Sequence, residues 1–237
     1  MKIVLIGYGK MGKIIEEIAL QKGHTISLII DMDNLHDLTK DNLQKADVAI
    51  EFTTPENAMN NILQCFDAGI PVVSGTTGWL NNFDKLKELC IEENGAFLYA
   101  SNFSVGVNIF FELNKKLAAL MSKQDYDITV AETHHTQKKD APSGTAITIA
   151  EQLLKELPDK KQWVNYKSEK EDELSIISYR IDPAPGTHSV KYSSDVDDIE
   201  IIHTAHNRKG FASGAVLAAE FLKAKKGIFS MKDVLGI

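Results

Sequence analysis

The run Glu132-Thr133-His134-His135-Thr136-Gln137-Lys138-Lys139-Asp140-Ala141-Pro142-Ser143-Gly144-Thr145 brings two adjacent imidazoles, two lysines and a small-residue turn into one short segment. An imidazole titrates near neutrality, whereas an ammonium stays cationic unless it is desolvated. Ser143 and Thr145 offer hydroxyls on either side of Gly144, whose bare backbone an anion can approach closely. That mixture suits a site that holds carboxylates while delivering a proton; the bland alternative is a solvated basic loop. Pro142 suits a helix entry, and the N–H groups of a helix start favour anions.

A second constellation, Gly7-Tyr8-Gly9-Lys10-Met11-Gly12, directly follows a strand-like run and opens a helical pattern. In that context GxGxxG is a dinucleotide signal: Gly7 for a tight turn, Gly9 for close approach of the pyrophosphate, Gly12 for helix–strand packing. Asp31 ends the second strand-like run at the interval where a carboxylate accepts from an adenosine ribose hydroxyl. Met32 and Asp33 supply no cation for an added 2′-phosphate, so NADH is expected to be preferred over NADPH, with Lys10 as a partial compensation. Gly75-Thr76-Thr77-Gly78 follows the fourth strand-like run and Ala100-Ser101-Asn102-Phe103 the fifth, at the carboxyl edge where ligands of open α/β sheets gather. Taken alone, either segment would more often be an ordinary turn.

The elements that must position these residues follow from periodicity. Residues 3–6, 25–30, 47–52, 71–74 and 96–99 read as strands, and 11–22, 56–67 and 82–92 as intervening helices, the rhythm of a parallel sheet with crossovers. Beyond Asn102 come a helix at 107–121, a strand at 127–132, a helix at 144–157, and β-like segments at 174–180, 188–193 and 199–204. The expected fold is α/β, a Rossmann-type parallel-sheet domain with a smaller α+β domain carrying a mixed sheet. Residues 157–173 are the most polar stretch and read as a surface excursion.

With 26 basic against 33 acidic residues in 237, the net charge of -7 argues against a nucleic-acid or anionic-membrane surface and requires any anion to be caught locally. No stretch has the length and apolarity of a membrane span, and the start lacks a signal-peptide pattern. The two cysteines, Cys65 and Cys90, sit in helix-like amphipathic stretches and read as buried thiols, which suits a reducing cytoplasm. His203 and His206, two residues apart without cysteine neighbours, do not make a zinc pattern, and no metal is expected.

With GTTG, SNFSVGVN and the His-His-X-X-Lys-X-Asp-Ala-Pro-Ser-Gly-Thr stretch in this order after the glycine fingerprint, nearly the whole chain resembles the 4-hydroxy-tetrahydrodipicolinate reductase (dihydrodipicolinate reductase) family of the bacterial diaminopimelate and lysine pathway. The resemblance implies hydride transfer from NADH or NADPH to C4 of a cyclic imine dicarboxylate with loss of water. His134 and Lys138 match the family's proton-donating positions, and His135, Gly144 and Thr145, with Ser143 close by, match those that contact a substrate carboxylate. The cofactor set is Gly7, Tyr8, Gly9, Lys10, Met11, Gly12, Asp31, Gly75, Thr76, Thr77, Ala100, Ser101, Asn102 and Phe103. The chain has two arginines, and Arg208, in the matched closing motif, is a candidate for the substrate cavity or for a surface ion pair. Many members carry Glu where this chain has Thr187, so a carboxylate role there does not transfer. The resemblance also implies a cofactor domain of residues 1–102 completed by 213–237, a substrate-binding and oligomerisation domain of 103–212, and a homotetramer. Another small amino- or imino-acid dehydrogenase, or a nucleotide sensor without chemistry, are the competing readings; the His134–Lys138 segment favours the reductase.

Overall fold

In the computed structural model, which describes Met1–Ile237, the chain begins with β1 (Lys2–Ile6), α1 (Lys10–Gln21), β2 (Thr25–Ile30), α2 (Lys40–Leu43), β3 (Val48–Glu51), α3 (Pro55–Asp67), β4 (Val72–Ser74), α4 (Phe83–Glu92) and β5 (Ala96–Tyr99). Ile3 and Leu5 of β1 enter one apolar core while Val4 and Ile6 enter another. Burial on both faces is the reason the run is continuously apolar rather than alternating. The chain continues through α5 (Val105–Met121), β6 (Asp127–His134), α6 (Gly144–Glu156), β7 (Gln162–Val164), β8 (Glu173–Arg180), β9 (Gly186–Ser193) and β10 (Asp198–Ala205). It ends with α7 (Lys209–Leu222), β11 (Gly227–Phe229) and α8 (Met231–Leu235).

Two units result: Met1–Val105 with Arg208–Ile237, and Gly106–Asn207. The first holds a six-stranded sheet of order β11-β5-β4-β3-β1-β2 in which every neighbouring pair is parallel. Residues of α1 and α7 pack in the core on one face, and residues of α3 and α4 in the core on the other. The register aligns Ile6 with Glu51, Glu51 with Ser74 and Ser74 with Tyr99, so four strands end side by side at the carboxyl edge. The closing segment supplies the sixth strand, β11 lying parallel to β5.

The second unit is a five-stranded mixed sheet of order β10-β9-β6-β8-β7. One face buries Val130, Ile176, Val190 and Tyr192 against residues of α5 and α6. Two departures from the periodic reading occur here. The strand expected at 127–132 runs on to His134, which makes that imidazole the last residue of β6. The polar excursion 157–173 contains β7, paired parallel to β8, because Trp163 packs against the core and anchors an otherwise polar stretch.

Gly214 in α7 marks the closest backbone approach of the first unit: a Cβ built there would lie 1.7 Å from the Phe103 carbonyl oxygen. Gly210, in the same helix, would meet only the Ser104 hydroxyl at 3.6 Å, an ordinary contact. Gly214→Ala is therefore expected to destabilise by about 1–3 kcal/mol, the usual cost of overpacking. Gly210→Ala should leave stability unchanged or raise it, since alanine is the better helix former. Thermal melts of the two variants side by side check this; equal melting temperatures would contradict the packing of α7.

Candidate functional site

In the second unit the chemistry-bearing residues come together because β6 places Glu132 and His134 two apart, on one face. Glu132 is 1% exposed. Both its oxygens accept from the Ser143 backbone N–H at 3.1 Å, and the Arg180 guanidinium donates to Oε1 at 3.2 Å. Around Oε2 lie His134 Nδ1 at 3.4 Å and His188 Nε2 at 3.7 Å, neither in hydrogen-bond geometry. The Ser143 hydroxyl caps α6 by accepting from the Ala146 N–H at 3.2 Å, and it shares a hydrogen bond of 3.2 Å with His188 Nε2. His134 and His188 meet edge to face with centroids 5.0 Å apart.

The segment between β6 and α6 is tied down at several points. Thr136 donates to Asp182 through its N–H at 3.1 Å and its hydroxyl at 2.6 Å, and the Ile181 N–H reaches the His134 carbonyl at 2.7 Å. Lys138 Nζ lies 2.8 Å from both oxygens of Asp140, and Arg180 also donates to the Asp140 carbonyl at 2.6 Å. The peptide bonds before Pro142 and Pro183 are both cis. Gly144 is exposed at the start of α6, with open space where a Cβ would stand.

Burial pushes the His134 imidazole down to about 4; Glu132 opposes that shift, while the cations of Lys138 and Arg180 add to it. Burial likewise takes His188 down to about 3, with His134 reinforcing and Glu132 opposing. Burial alone would raise the Glu132 carboxyl, but the hydrogen bonds from Ser143 outweigh it and hold it below the usual range. Asp140 is also held low, its Lys138 hydrogen bond and charge outweighing desolvation. Glu132, His134 and His188 bring three possible metal-donor atoms within 4.8 Å of one another. The carboxylate of that trio is already taken up by Ser143 and Arg180.

In the first unit the glycine turn opens onto two adjoining clefts that share Gly9, Phe52 and Thr53. One, of about 310 Å³, is lined by Gly7, Tyr8, Asp31, Met32 and the amide side chains Asn57, Asn60, Asn61 and Gln64. The other, of about 460 Å³, is lined by Lys10, Met11, Pro55, Gly75, Thr76 and Thr77. Gly7 has φ +95°, and a Cβ there would lie 2.0 Å from the Phe52 carbonyl oxygen, so only glycine permits this turn. Asp31 is exposed at the end of β2 and accepts from the Met32 N–H at 2.9 Å.

Not every expected residue lines these clefts. Gly12 packs instead against the Gly7 carbonyl, which its Cβ would approach to 2.4 Å. Ala100 and Phe103 are buried in the first unit's core, and Asn102 accepts from the Ser104 N–H at 2.9 Å. Ser101 is half-buried beside them. Arg208 belongs to the first unit, at the N-cap of α7, and Arg180, in the second, pairs with Glu132. His135, just after β6, is half-buried, and Thr145, in the first turn of α6, is buried. Glu132 heads the singled-out run and His188 stands in the closing motif, where a structural hydrogen bond is the expected role, but the role of Arg180 and the cleft lining by residues 52–64 had no motif to announce them. The period-2 pairing of Glu132 with His134 was the one available signal.

A doubly wound parallel sheet with a glycine turn at its carboxyl edge, joined to a unit bearing Lys138 and two buried imidazoles, defines the class of NAD(P)-dependent oxidoreductases. Family profiles described as dihydrodipicolinate reductase, N-terminus, and dihydrodipicolinate reductase, C-terminus, match residues 1–103 and 106–235. The chain belongs to the dihydrodipicolinate reductase family. It is 53% identical to a 4-hydroxy-tetrahydrodipicolinate reductase of Christiangramia forsetii, covering 99% of this chain and 98% of that one. A second such reductase, of Methanoregula boonei, is 37% identical over 82% of this chain and 76% of its own. Among solved structures, a dipicolinate-bound dihydrodipicolinate reductase from Paenisporosarcina sp. TG-14 superposes with TM-score 0.75 at 22% identity over 97% of both chains, a likeness of fold.

The two depressed imidazoles give a pH dependence of determined sign. Their ordinary value is 6.5 and their folded values about 4 and about 3, so below neutrality the unfolded chain binds more protons than the folded one. Stability is fully present above the ordinary value and falls as pH drops from there towards the folded values, by up to about 1.4 kcal/mol per group for each pH unit. The melting temperature is expected to be clearly lower at about pH 5 than at about pH 7. A flat profile across that window would mean the imidazoles are not held neutral.

Proposed function

We propose that this protein reduces 4-hydroxy-tetrahydrodipicolinate to tetrahydrodipicolinate with release of water, as a step of bacterial diaminopimelate and lysine biosynthesis in the cytoplasm. The observation that carries the reading is the cluster of His134, Lys138 and the Ser143-capped start of α6, in a chain whose full length matches the family. The first unit's clefts fit a dinucleotide: the glycine turn admits close backbone approach, and Asp31 stands where a ribose hydroxyl would donate. Bound there, the reduced nicotinamide supplies a hydride equivalent to C4 of the substrate ring.

The chain's own residues do the rest. His135, Ser143, Gly144 and Thr145 hold the carboxylates, with the positive end of α6 favouring them. Ser143 is rigid enough for this because Glu132 fixes its backbone and His188 its hydroxyl. Lys138 is held against both oxygens of Asp140. His134, with a value of about 4, is neutral at pH 7, and an arriving dianion raises its affinity for the proton it then delivers. Arg180 is committed to Glu132 and the Asp140 carbonyl. Arg208, in the closing motif that follows the family's pattern, is the guanidinium proposed to meet a substrate carboxylate.

Asp31 favours NADH, since a 2′-phosphate beside its carboxylate would be repelled. Assay with freshly generated substrate is expected to give turnover with both reduced nicotinamides and the higher kcat/KM with NADH. His134→Gln and Lys138→Met are each expected to lower kcat by about 10²–10³-fold while leaving NADH affinity nearly unchanged. Intact NADH binding without turnover in the wild-type protein would favour the nucleotide-sensor reading.

A homotetramer assembled through the mixed sheet is the proposed form. The register lines up Ile177, Ala131, Ser189 and Ile202 in one row across β8, β6, β9 and β10, on the face opposite the buried core. Ile202 is 58% exposed there, on a face no helix of its own unit covers. Light scattering should return four times the 26.3 kDa chain mass, and Ile202→Lys should lower it. A single-chain mass for the wild type would reject this assembly.

A further inference from the structure

Glu51, the last residue of β3, is 0% exposed and has no cationic partner. Instead it gathers donors from both loops that border the clefts of the first unit. Ser74 donates to Oε2 at 2.6 Å, and Thr76 donates to Oε1 at 2.8 Å. From the loop after β3 come the Thr53 N–H at 3.0 Å and the Thr53 hydroxyl. A carboxylate is acceptor-only, so all three hydroxyl hydrogens must point inward. That fixes the polarity of the outer layer: Thr76 Oγ1 is left to accept from the Thr53 N–H at 2.8 Å, and Thr53 Oγ1 to accept from Asn61 at 3.2 Å. Thr53, Thr76 and Asn61 line the clefts; Glu51 and Ser74 do not.

We propose that Glu51 is a positioning residue for the cofactor groove: beneath its floor it ties the Thr53 loop to the Gly75-Thr76-Thr77-Gly78 loop and sets which way their hydroxyls point. The inference rests on the reading of these clefts as the dinucleotide site. A buried charge without a counter-ion is tolerated only when hydrogen bonds satisfy it, and here those bonds span two loops from different strands. The neighbouring register Ile6–Glu51–Ser74 explains how this position reaches both loops. An amide in place of the carboxylate would keep the shape but add a donor facing three donors, forcing at least one hydroxyl to turn and one loop to shift.

The test is NADH binding by fluorescence titration, paired with steady-state kinetics, for Glu51→Gln, Glu51→Asp and Ser74→Ala. Glu51→Gln is expected to raise both Kd and KM for NADH about tenfold, the loss of one charge-assisted hydrogen bond, with the KM for the dicarboxylate substrate unchanged. Ser74→Ala, which removes one donor outside the clefts, should move the same constants in the same direction by less. Glu51→Asp keeps the acceptor-only character and should recover part of the loss. Should Glu51→Gln fail to fold, Ser74→Ala and Glu51→Asp still decide the matter. Lower melting temperatures with NADH constants equal to wild type would overturn the proposal and leave Glu51 a purely structural residue. Failure of the wild-type protein itself to bind NADH would instead overturn the reading of the clefts.

Discussion

Each candidate site has beneath it a carboxylate that the fold withdraws from water at or near the end of a strand. Leaving water costs an ionised group several kcal/mol, so such a residue persists only where its surroundings are held in place to satisfy it. Glu132 is met by the Ser143 N–H and by Arg180, and through them it fixes both the start of α6 and the segment carrying Lys138 and Asp140. Glu51 is met by hydroxyls and a backbone N–H alone. The same cost is thus offset in two ways, one by a paired cation and one by dipoles, and in the first unit the side chains facing the clefts lie one layer further out.

The electrostatics of the second unit follow from that arrangement. The chain as a whole is acidic, at -7, yet the segment from His134 to Thr145 gathers Lys138, Arg180 and the N–H end of a helix. Arg180 is spent on Glu132, and both buried imidazoles are pushed towards neutrality, His134 to about 4 and His188 to about 3. Beside them stand Lys138, itself paired with Asp140, and the backbone dipoles at the start of α6, which need no reorganisation when charge arrives. A neutral imidazole beside them is poised to take up a proton only in the presence of added negative charge. Neutral imidazoles also suit metals, and Glu132, His134 and His188 do converge, but the carboxylate's existing partners would have to be displaced first.

Much of this was legible in the residues alone. The glycine fingerprint after β1, the carboxylate at the end of β2 and the alternation of apolar runs with helical patterns specify a parallel dinucleotide-binding sheet, because each signal is local and its period is that of the element it forms. The His-His-X-X-Lys run with its small-residue turn likewise carries its family in its own spacing. Other features depend on partners distant in the chain. Trp163 turns a polar stretch into β7 by packing on the core, and β11 completes the first sheet from the far end of the sequence. The Ala100–Phe103 segment follows a strand as expected, yet Ala100 and Phe103 face the core rather than a cleft.

The sequence by itself therefore determined the class of fold, the glycine turn and the family, since those rest on backbone conformations and side-chain types that neighbours along the chain settle. Only the tertiary structure decided that Arg180 pairs with Glu132, that His188 shares Ser143 with the cap of α6, and that Glu51 binds two loops at once. Those are contacts across strand registers, fixed by pairings between residues tens of positions apart, and no local pattern encodes them.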